Sequence, residues 1–267
     1  MLNASIILYK HSVSDISPLV KTLQNSGLVS EIFLIDNSPK ENKDFGKLNA
    51  NYIFNNCNLG YGKAHNIALR KSIAKNTPYH LVVNPDISFE PEILKTIVTY
   101  MENHPDVGHL MPKVFYPNGD LQYLCKLLPT PTDLIFRRFL QKNVRDKRMR
   151  KFELRESGYN RIMNVPYLSG CFMFLRTEAL KVTRIFDERF FMYPEDIDLT
   201  RRIHQHFKTI FYPEVAIVHH HAQSSYSSPK MLWIHIINMI RYFNKWGWIF
   251  DRERKRINAN ILIGNTL

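Results

Sequence analysis

The chain has 267 residues, 45% hydrophobic and 12% aromatic, a composition that buries a core and excludes a disordered polypeptide. Its net charge of +12 and pI of about 9.6 call for an anionic partner: nucleic acid, anionic lipid or a phosphorylated substrate. Cys57, Cys125 and Cys171 are too far apart for a disulfide framework or a Cys-x-x-Cys metal motif. With no secretory leader and no bilayer-length apolar run visible, a cytoplasmic protein is expected, soluble or peripheral.

Residues 4–9 form a β-branched apolar run and predict a buried strand. Residues 14–26 predict a helix with Leu19, Val20 and Leu23 on one face. A second strand is expected over 31–35, ending at Asp36-Asn37-Ser38-Pro39, and a third over 52–55, followed by a loop with Gly60 and Gly62. A helix over 64–74 leads to a strand over 80–83, which ends at Asn84-Pro85-Asp86. A further helix covers 91–103, with Pro91 suited to its first turn. Strands alternating with helices imply a parallel α/β sheet. Ligands gather at the carboxyl ends of such strands, where Asp36, Asp86 and the Gly60 loop all fall. A single Asp there reads as a turn residue; several at successive strand ends are harder to dismiss.

Pro117-Asn118-Gly119-Asp120 marks a turn between extended segments. Residues 137–151 are densely basic and predict a surface helix or a mobile loop, and 165–175 return to apolar character around Ser169-Gly170. Helices are expected over 177–182 and 198–207, with strand-like runs at 209–212 and 216–218. The tail differs. Residues 231–250 are mostly apolar, contain Trp233, Trp246 and Trp248, and carry His235, Asn238, Arg241 and Lys245 as a narrow polar stripe. Arg252, Arg254, Lys255 and Arg256 follow. Such a helix can lie in a membrane surface, or pack on the domain or in a dimer, and both readings stay open.

Four features carry possible chemistry. The aromatic run from Phe190 enters Glu195, Asp196 and Asp198, which places carboxylates beside apolar walls. A general base needs that setting, although acids also complement a helix N-terminus. Asp86 can reach Mg²⁺ or Mn²⁺, ions commonly shared between carboxylates and substrate phosphates, or it can close an Asx-type turn. The glycines of Asn58-Leu59-Gly60-Tyr61-Gly62 let backbone approach a diphosphate, yet the loop is neither a Walker motif nor a dinucleotide fingerprint. In His219-His220-His221 an extended backbone would turn alternate side chains apart. A zinc cluster lacks a spaced partner set, and one His completing an oxygen-rich site is the better reading.

Taken in order, these pieces resemble the family 2 glycosyltransferases, especially rhamnosyltransferase-like members that build bacterial surface polysaccharides. The resemblance runs from about Ala4 to Ser225 and includes Leu34-Ile35-Asp36-Asn37-Ser38, the Gly60 loop, Asn84-Pro85-Asp86, Ser169-Gly170, Phe186-Asp187-Glu188-Arg189-Phe190-Phe191, Glu195-Asp196-Ile197-Asp198-Leu199 and His219. It implies a GT-A-type fold, a Rossmann-like and mostly parallel sheet flanked by helices, with a C-terminal helical tail. Residues 1–110 would form the nucleotide-sugar half, 111–228 the acceptor and catalytic half, and 229–267 a basic amphipathic tail. Tyr9, Asp36, Asn37, Gly60, Asn66, Asn84 and Asp86 would meet the donor, and Ser169, Gly170 and Glu195 the acceptor. Asp86 and His219 would hold Mg²⁺ or Mn²⁺. Asn84 replaces the first Asp of an Asp-x-Asp motif, which shifts the metal's grip toward phosphate and His219. Asp196 would be the base of an inverting displacement, with Glu195 in support and Asp198 capping or anchoring the following helix. The resemblance further implies a dTDP- or UDP-sugar donor, rhamnose first, and a saccharide acceptor carried on a polyprenyl diphosphate at the anionic inner face of the membrane. A nucleotidyltransferase would carry a Gly-rich loop after the first strand, where Tyr9-Lys10-His11-Ser12 stands. A nucleic-acid-binding role has the charge but no recognised motif, and nucleic acid is not expected as a partner.

Overall fold

The computed structural model describes residues 1–135, 140–220 and 229–264. The first half alternates as expected: β1 (Leu2–Leu8), α1 (Val13–Asn25), β2 (Val29–Asp36), β3 (Asn51–Phe54), α2 (Tyr61–Ala74), β4 (Tyr79–Val83), β5 (Ile87–Ser88), α3 (Ile93–Asn103) and β6 (Val107–Phe115). The second half holds β7 (Cys125–Lys126), α4 (Pro131–Leu134), α5 (Lys142–Phe152), β8 (Met163–Asn164), β9 (Tyr167–Leu168), β10 (Phe172–Arg176), α6 (Thr177–Thr183), α7 (Glu195–His204), β11 (Lys208–His219), α8 (Pro229–Trp246) and α9 (Arg252–Gly264).

The main sheet runs β3-β2-β1-β4-β10-β6-β11-β5, with β8 added on β11. β1 to β4 are mutually parallel, and β10 inserts antiparallel between β4 and β6. The sheet is therefore mostly parallel but mixed. β10 starts where β4 ends, with Phe172 opposite Val83, so the Ser169-Gly170 segment arrives at the same edge as Asn84 and Asp86. The two strand-like runs near the C-terminal end of the sheet are one strand, β11, interrupted by a bulge between Tyr212 and Ala216.

β1 is buried along almost its whole length, as a central strand covered on both faces must be. Its polar residues Asn3 and Ser5 are bonded into a seam under α2. Ser5 Oγ lies 2.7 Å from His65 Nδ1 and 2.8 Å from His80 Nε2. Ser72 Oγ lies 2.7 Å from His80 Nδ1 and accepts from Asn3 Nδ2 at 3.0 Å. Burial holds His80 down to about 3 and His65 well below its ordinary range, so both rings are neutral and the seam is uncharged.

The tail is not a loose extension. Tyr242 and Phe243 of α8 are fully buried against Phe190 and Ile197. The basic cluster after residue 250, read only as charge, forms α9. Arg201 of α7, 1% exposed, makes a bidentate pair with Asp251 at 2.7 and 2.9 Å and faces Trp246 at 4.0 Å. The outer face of α8 leaves Trp233, Ile237 and Ile240 in solvent. No helix among the described residues is long and apolar enough to cross a membrane. Arg137, Arg138, His221, Ser224 and Ser225 fall outside the described residues.

Replacing Ser5 by Ala should orphan the two histidine nitrogens it serves, at about 1–3 kcal/mol for each buried group. At roughly 2–4 °C per kcal/mol for a chain of this size, the melting temperature is expected to fall by at least about 4 °C. An unchanged melting temperature would show that the seam contributes no stability.

Candidate active site

The first turn of α7 carries three acids, and the structure gives each a different environment. Pro194 holds the N-cap position without a side-chain cap, so the exposed N–H groups of this turn are open to carboxylates. Asp196 Oδ1 accepts from its neighbour Ile197 N–H at 2.8 Å, and Oδ2 accepts from Gly170 N–H at 3.0 Å. Burial raises the Asp196 pKa above the usual aspartate range, and these two N–H donors and Lys126 only partly offset it. Glu195 is 5% exposed, and its Oε2 has no hydrogen-bond partner. Burial, together with Asp196 beside it, holds the Glu195 carboxyl far above its ordinary range. Asp196 receives two N–H donors while Glu195 Oε2 receives none, and that geometry favours the negative charge on Asp196 and the proton on Glu195.

Asp198 does not cap the helix. Its Oδ1 accepts from Trp246 Nε1 at 2.8 Å and pairs with Lys245 at 2.6 Å, and Oδ2 pairs with Arg202 at 2.9 Å. It anchors α8 to α7, and that is the anchoring half of its expected role. The aromatic run is also redistributed. Phe190 is buried in the contact with α8, so it walls the core and not an acceptor pocket. The Phe191 carbonyl accepts the Tyr61 N–H at 2.9 Å.

That contact brings the glycine loop to the acids. Gly60 has φ +82°, and a Cβ there would stand 2.1 Å from the Phe191 carbonyl oxygen, so no other residue fits without moving the chain. Tyr61 Oη then donates to the Gly170 carbonyl at 2.6 Å and lies 3.1 Å from Asn84 Oδ1. A Cβ on Gly170 would sit 3.1 Å from the Asp196 Cβ. Tyr61 thus joins three segments: the loop before α2, the end of β4 and the start of β10. Its side chain had no role on sequence grounds, because a tyrosine at a helix start looks like packing.

Asp86 meets His219 through the pairing of β5 with β11, where Ile87 is opposite His219. Asp86 Oδ1 lies 3.4 Å from His219 Nε2. Gln122 explains why that nitrogen faces inward. Gln122 Nε2 donates to the carbonyls of His219 and Phe115, so its Oε1 must accept from His219 Nδ1, at 3.0 Å. The His219 Nε2 is left directed at Asp86. Burial opposes protonation of His219, but Asp86 and Cys171 outweigh it and raise the pKa to about 10. Asp86 Oδ1 and His219 Nε2, 3.4 Å apart, suit neighbouring positions on one small cation that displaces the Nε2 proton, and Mg²⁺ or Mn²⁺ commonly takes one or two protein ligands plus substrate phosphates. No group of three or more His, Cys, Asp or Glu able to hold a metal occurs among the described residues. His220 turns the other way, to Ser88 Oγ at 3.0 Å.

The remaining positions divide. Asp36 is buried at the end of β2 and accepts from Tyr52 Oη at 2.7 Å and Ser38 N–H at 2.8 Å. Tyr9 is exposed at the end of β1. Asn37 spends its amide on the Gly60 carbonyl and Asn55, so it braces the loop. Asn66 departs from expectation. It is fully buried, donating to the Phe186 carbonyl and Glu188 and accepting from Phe186 N–H, which leaves no N–H for a ligand. It fixes the 186–188 turn. Ser169 lies beside Gly170, and its Oγ accepts from Cys171 N–H at 3.4 Å. A cleft of about 320 Å³ opens beside Asp86 and includes His11, a residue with no sequence signal.

Residues 41–244 match the family described as glycosyltransferase-like family 2. The chain belongs to that family. An N-acetylglucosaminyl-diphospho-decaprenol L-rhamnosyltransferase of Mycobacterium tuberculosis is 28% identical over 185 residues, covering 64% of this chain and 59% of that protein. The chain thus spans less than two thirds of this relative's length. Rhamnosyltransferase WbbL of Escherichia coli is 28% identical over 209 residues, covering 75% of this chain and 76% of that protein. Among solved structures, GalNAc-T7 with UDP, GalNAc and Mn²⁺ superposes with a TM-score of 0.68 at 16% identity, covering 92% of this chain and 48% of that one. S. aureus TarS gives 0.59 at 18% identity, covering 98% and 42%. These likenesses show the fold, and this family 2 member has the GT-A type: a mostly parallel mixed sheet flanked by helices.

The order of ionisation in the acid pair is open to direct measurement. In a carboxyl ¹³C NMR titration, Asp196 should ionise first, at a pH above the ordinary aspartate range, and Glu195 should follow. Because Glu195 is neutral in that window, Glu195→Gln should leave the Asp196 midpoint in place. A midpoint that drops in the variant would mean that Glu195 ionises first.

Proposed function

We propose that this protein is an inverting glycosyltransferase that moves a sugar from a nucleotide-sugar donor to a hydroxyl of a lipid-linked saccharide. The observation that carries the reading is the connection from Asn84, two residues before Asp86, through Tyr61 and Gly170 to Asp196. It links the edge where a donor diphosphate would sit to a carboxylate whose raised pKa suits proton abstraction. In this mechanism Asp196 takes the proton of the acceptor hydroxyl. The freed oxygen pair forms the bond to the anomeric carbon, and the bond to the nucleotide diphosphate breaks with its electrons on the leaving oxygen. Neutral Glu195 adds no second charge next to the base. Asp86 and His219 would hold Mg²⁺ or Mn²⁺, which when bound offsets charge on the leaving diphosphate. The Gly60 loop, Asp36 and Tyr9 form the donor side in residues 1–110, and Ser169 and Gly170 the acceptor side in 111–228.

The names of both relatives support rhamnose as the transferred sugar. Its donor in this reading is dTDP-rhamnose, with a UDP-sugar as the second choice. The name of the mycobacterial relative supports a polyprenyl-diphosphate acceptor. An acceptor of that kind lives in a membrane, and the exposed Trp233, Ile237 and Ile240 stripe of α8 suits a peripheral contact at its inner face.

With a panel of nucleotide sugars and Mn²⁺, Asp196→Asn should lower transfer by roughly 10²–10⁴-fold while donor affinity stays near wild type. Asp86→Ala should instead weaken Mn²⁺-dependent donor binding. Normal turnover by Asp196→Asn would remove the base assignment, and metal-independent donor binding in both proteins would remove the metal. Co-sedimentation with anionic vesicles should fall when Trp233 and Ile237 are both changed to Ser; equal sedimentation would sink the membrane contact.

A further inference from the structure

A second concavity, outside the site described above, lies between α5 and α9 and has a volume of about 670 Å³. That is within the range of pockets that hold organic ligands, roughly 300–1,000 Å³. Its floor is apolar, built from Leu127, Leu128, Phe152, Trp248 and Leu262. Its rim carries Arg148, Lys151 and Lys255, and the buried Arg254 lies in its wall. The one acid among the described residues of the lining, Asp133, is already neutralised. Its Oδ1 accepts from Arg148 Nε at 2.6 Å, and its Oδ2 accepts from the Thr130 N–H at 2.7 Å and hydroxyl at 2.6 Å. Lys151 and Lys255 have no ion pair among the described residues. An apolar trough edged by uncompensated ammonium groups is complementary to an amphiphile with an anionic head.

The groove is preformed, and one of its walls follows directly on a residue that acts on the site. Asn258 of α9 both donates to and accepts from the Leu128 backbone at 2.9 Å. Arg254 donates to the carbonyls of Pro129, Gly247 and Trp248, and locks the α8–α9 turn. Leu127 follows Lys126 directly, and the Lys126 charge acts on Asp196. At the turn, Ile249 is 70% and Phe250 89% exposed. α9 lies beyond residue 244, where the family match ends.

We propose that this groove receives the prenyl-diphosphate end of the acceptor, with the diphosphate at Lys151 and Lys255 and the isoprenoid chain along the apolar floor. The inference rests on the lipid-linked acceptor reading and assigns the part of the molecule that recognises the carrier. The attached sugar would then lie along β7 toward Asp196, and a long isoprenoid would leave past Ile249 and Phe250.

The test is calorimetric titration of the full chain with farnesyl diphosphate in EDTA, so that a metal site cannot take up the probe. Farnesyl diphosphate should bind at least tenfold more tightly than farnesol or inorganic pyrophosphate. The double variant Lys151→Glu/Lys255→Glu and the groove-filling Ala259→Trp should each weaken it at least tenfold, while Mn²⁺-dependent nucleotide binding stays at the wild-type level and reports a folded protein. Equal affinity in wild type and both variants, or no affinity in wild type, would overturn the proposal. So would a double variant that loses phosphatidylglycerol vesicles yet keeps farnesyl diphosphate, since the rim would then serve the bilayer. A wild-type protein that binds farnesyl diphosphate in this groove but never turns over a nucleotide sugar would instead overturn the proposed function and leave the groove standing.

Discussion

Two adjacent carboxyl groups, Glu195 and Asp196, are carried into a water-poor site, and much of the architecture around them meets that cost. Burying a charge is expensive unless it is paired or hydrogen-bonded. Here the charge is limited to one by a proton on Glu195, and the ionised partner receives N–H groups from its own helix start and from Gly170. That arrangement requires the β10 entry to pass against α7 with no side chain between, which explains a glycine at 170. Gly170 is in turn held by Tyr61, and Tyr61 is placed by the close contact of the Gly60 loop with Phe191. Asp196, the Ser169-Gly170 segment and the Gly60 loop are thus set by one chain of contacts.

The C-terminal helices belong to the same system. Asp198 and Arg201, on the helix that carries the acids, hold Trp246, Lys245 and Asp251. These pairs are buried, so losing one partner would leave an uncompensated charge in the interior. The side of α8 that faces the protein is therefore committed to α7. Its opposite side keeps the exposed stripe, so the packed and the surface-seeking readings of the tail apply to different faces of one helix.

Much of the fold was legible in the chain. Periodicity located the strands and helices of the first half to within a few residues, because a central strand such as β1 is apolar throughout and α1 shows one clear face. The assignment weakened after residue 110. β10 reads like its parallel neighbours, since local pattern does not encode strand direction. α9 was hidden by its charge, for its buried face is narrow and includes Arg254. Asn66 looked like a ligand because it follows the glycine loop, yet its amide is consumed by Phe186.

By itself the sequence determined which residue types stand at the carboxyl ends of the strands: Asp36, Asp86, the Gly60 loop and the acids after Phe190. Turn chemistry and hydrophobic period are local properties, so they can be read locally. Only the tertiary structure decided how these residues share the work. Asp86 meets His219 because β5 pairs with β11, and Gln122 turns the histidine toward it. Asp196 is separated from Glu195 and Asp198 in role by what surrounds each: two N–H donors, an apolar pocket and a pair of tail side chains. Those surroundings come from segments distant in the chain, and no local pattern carries them.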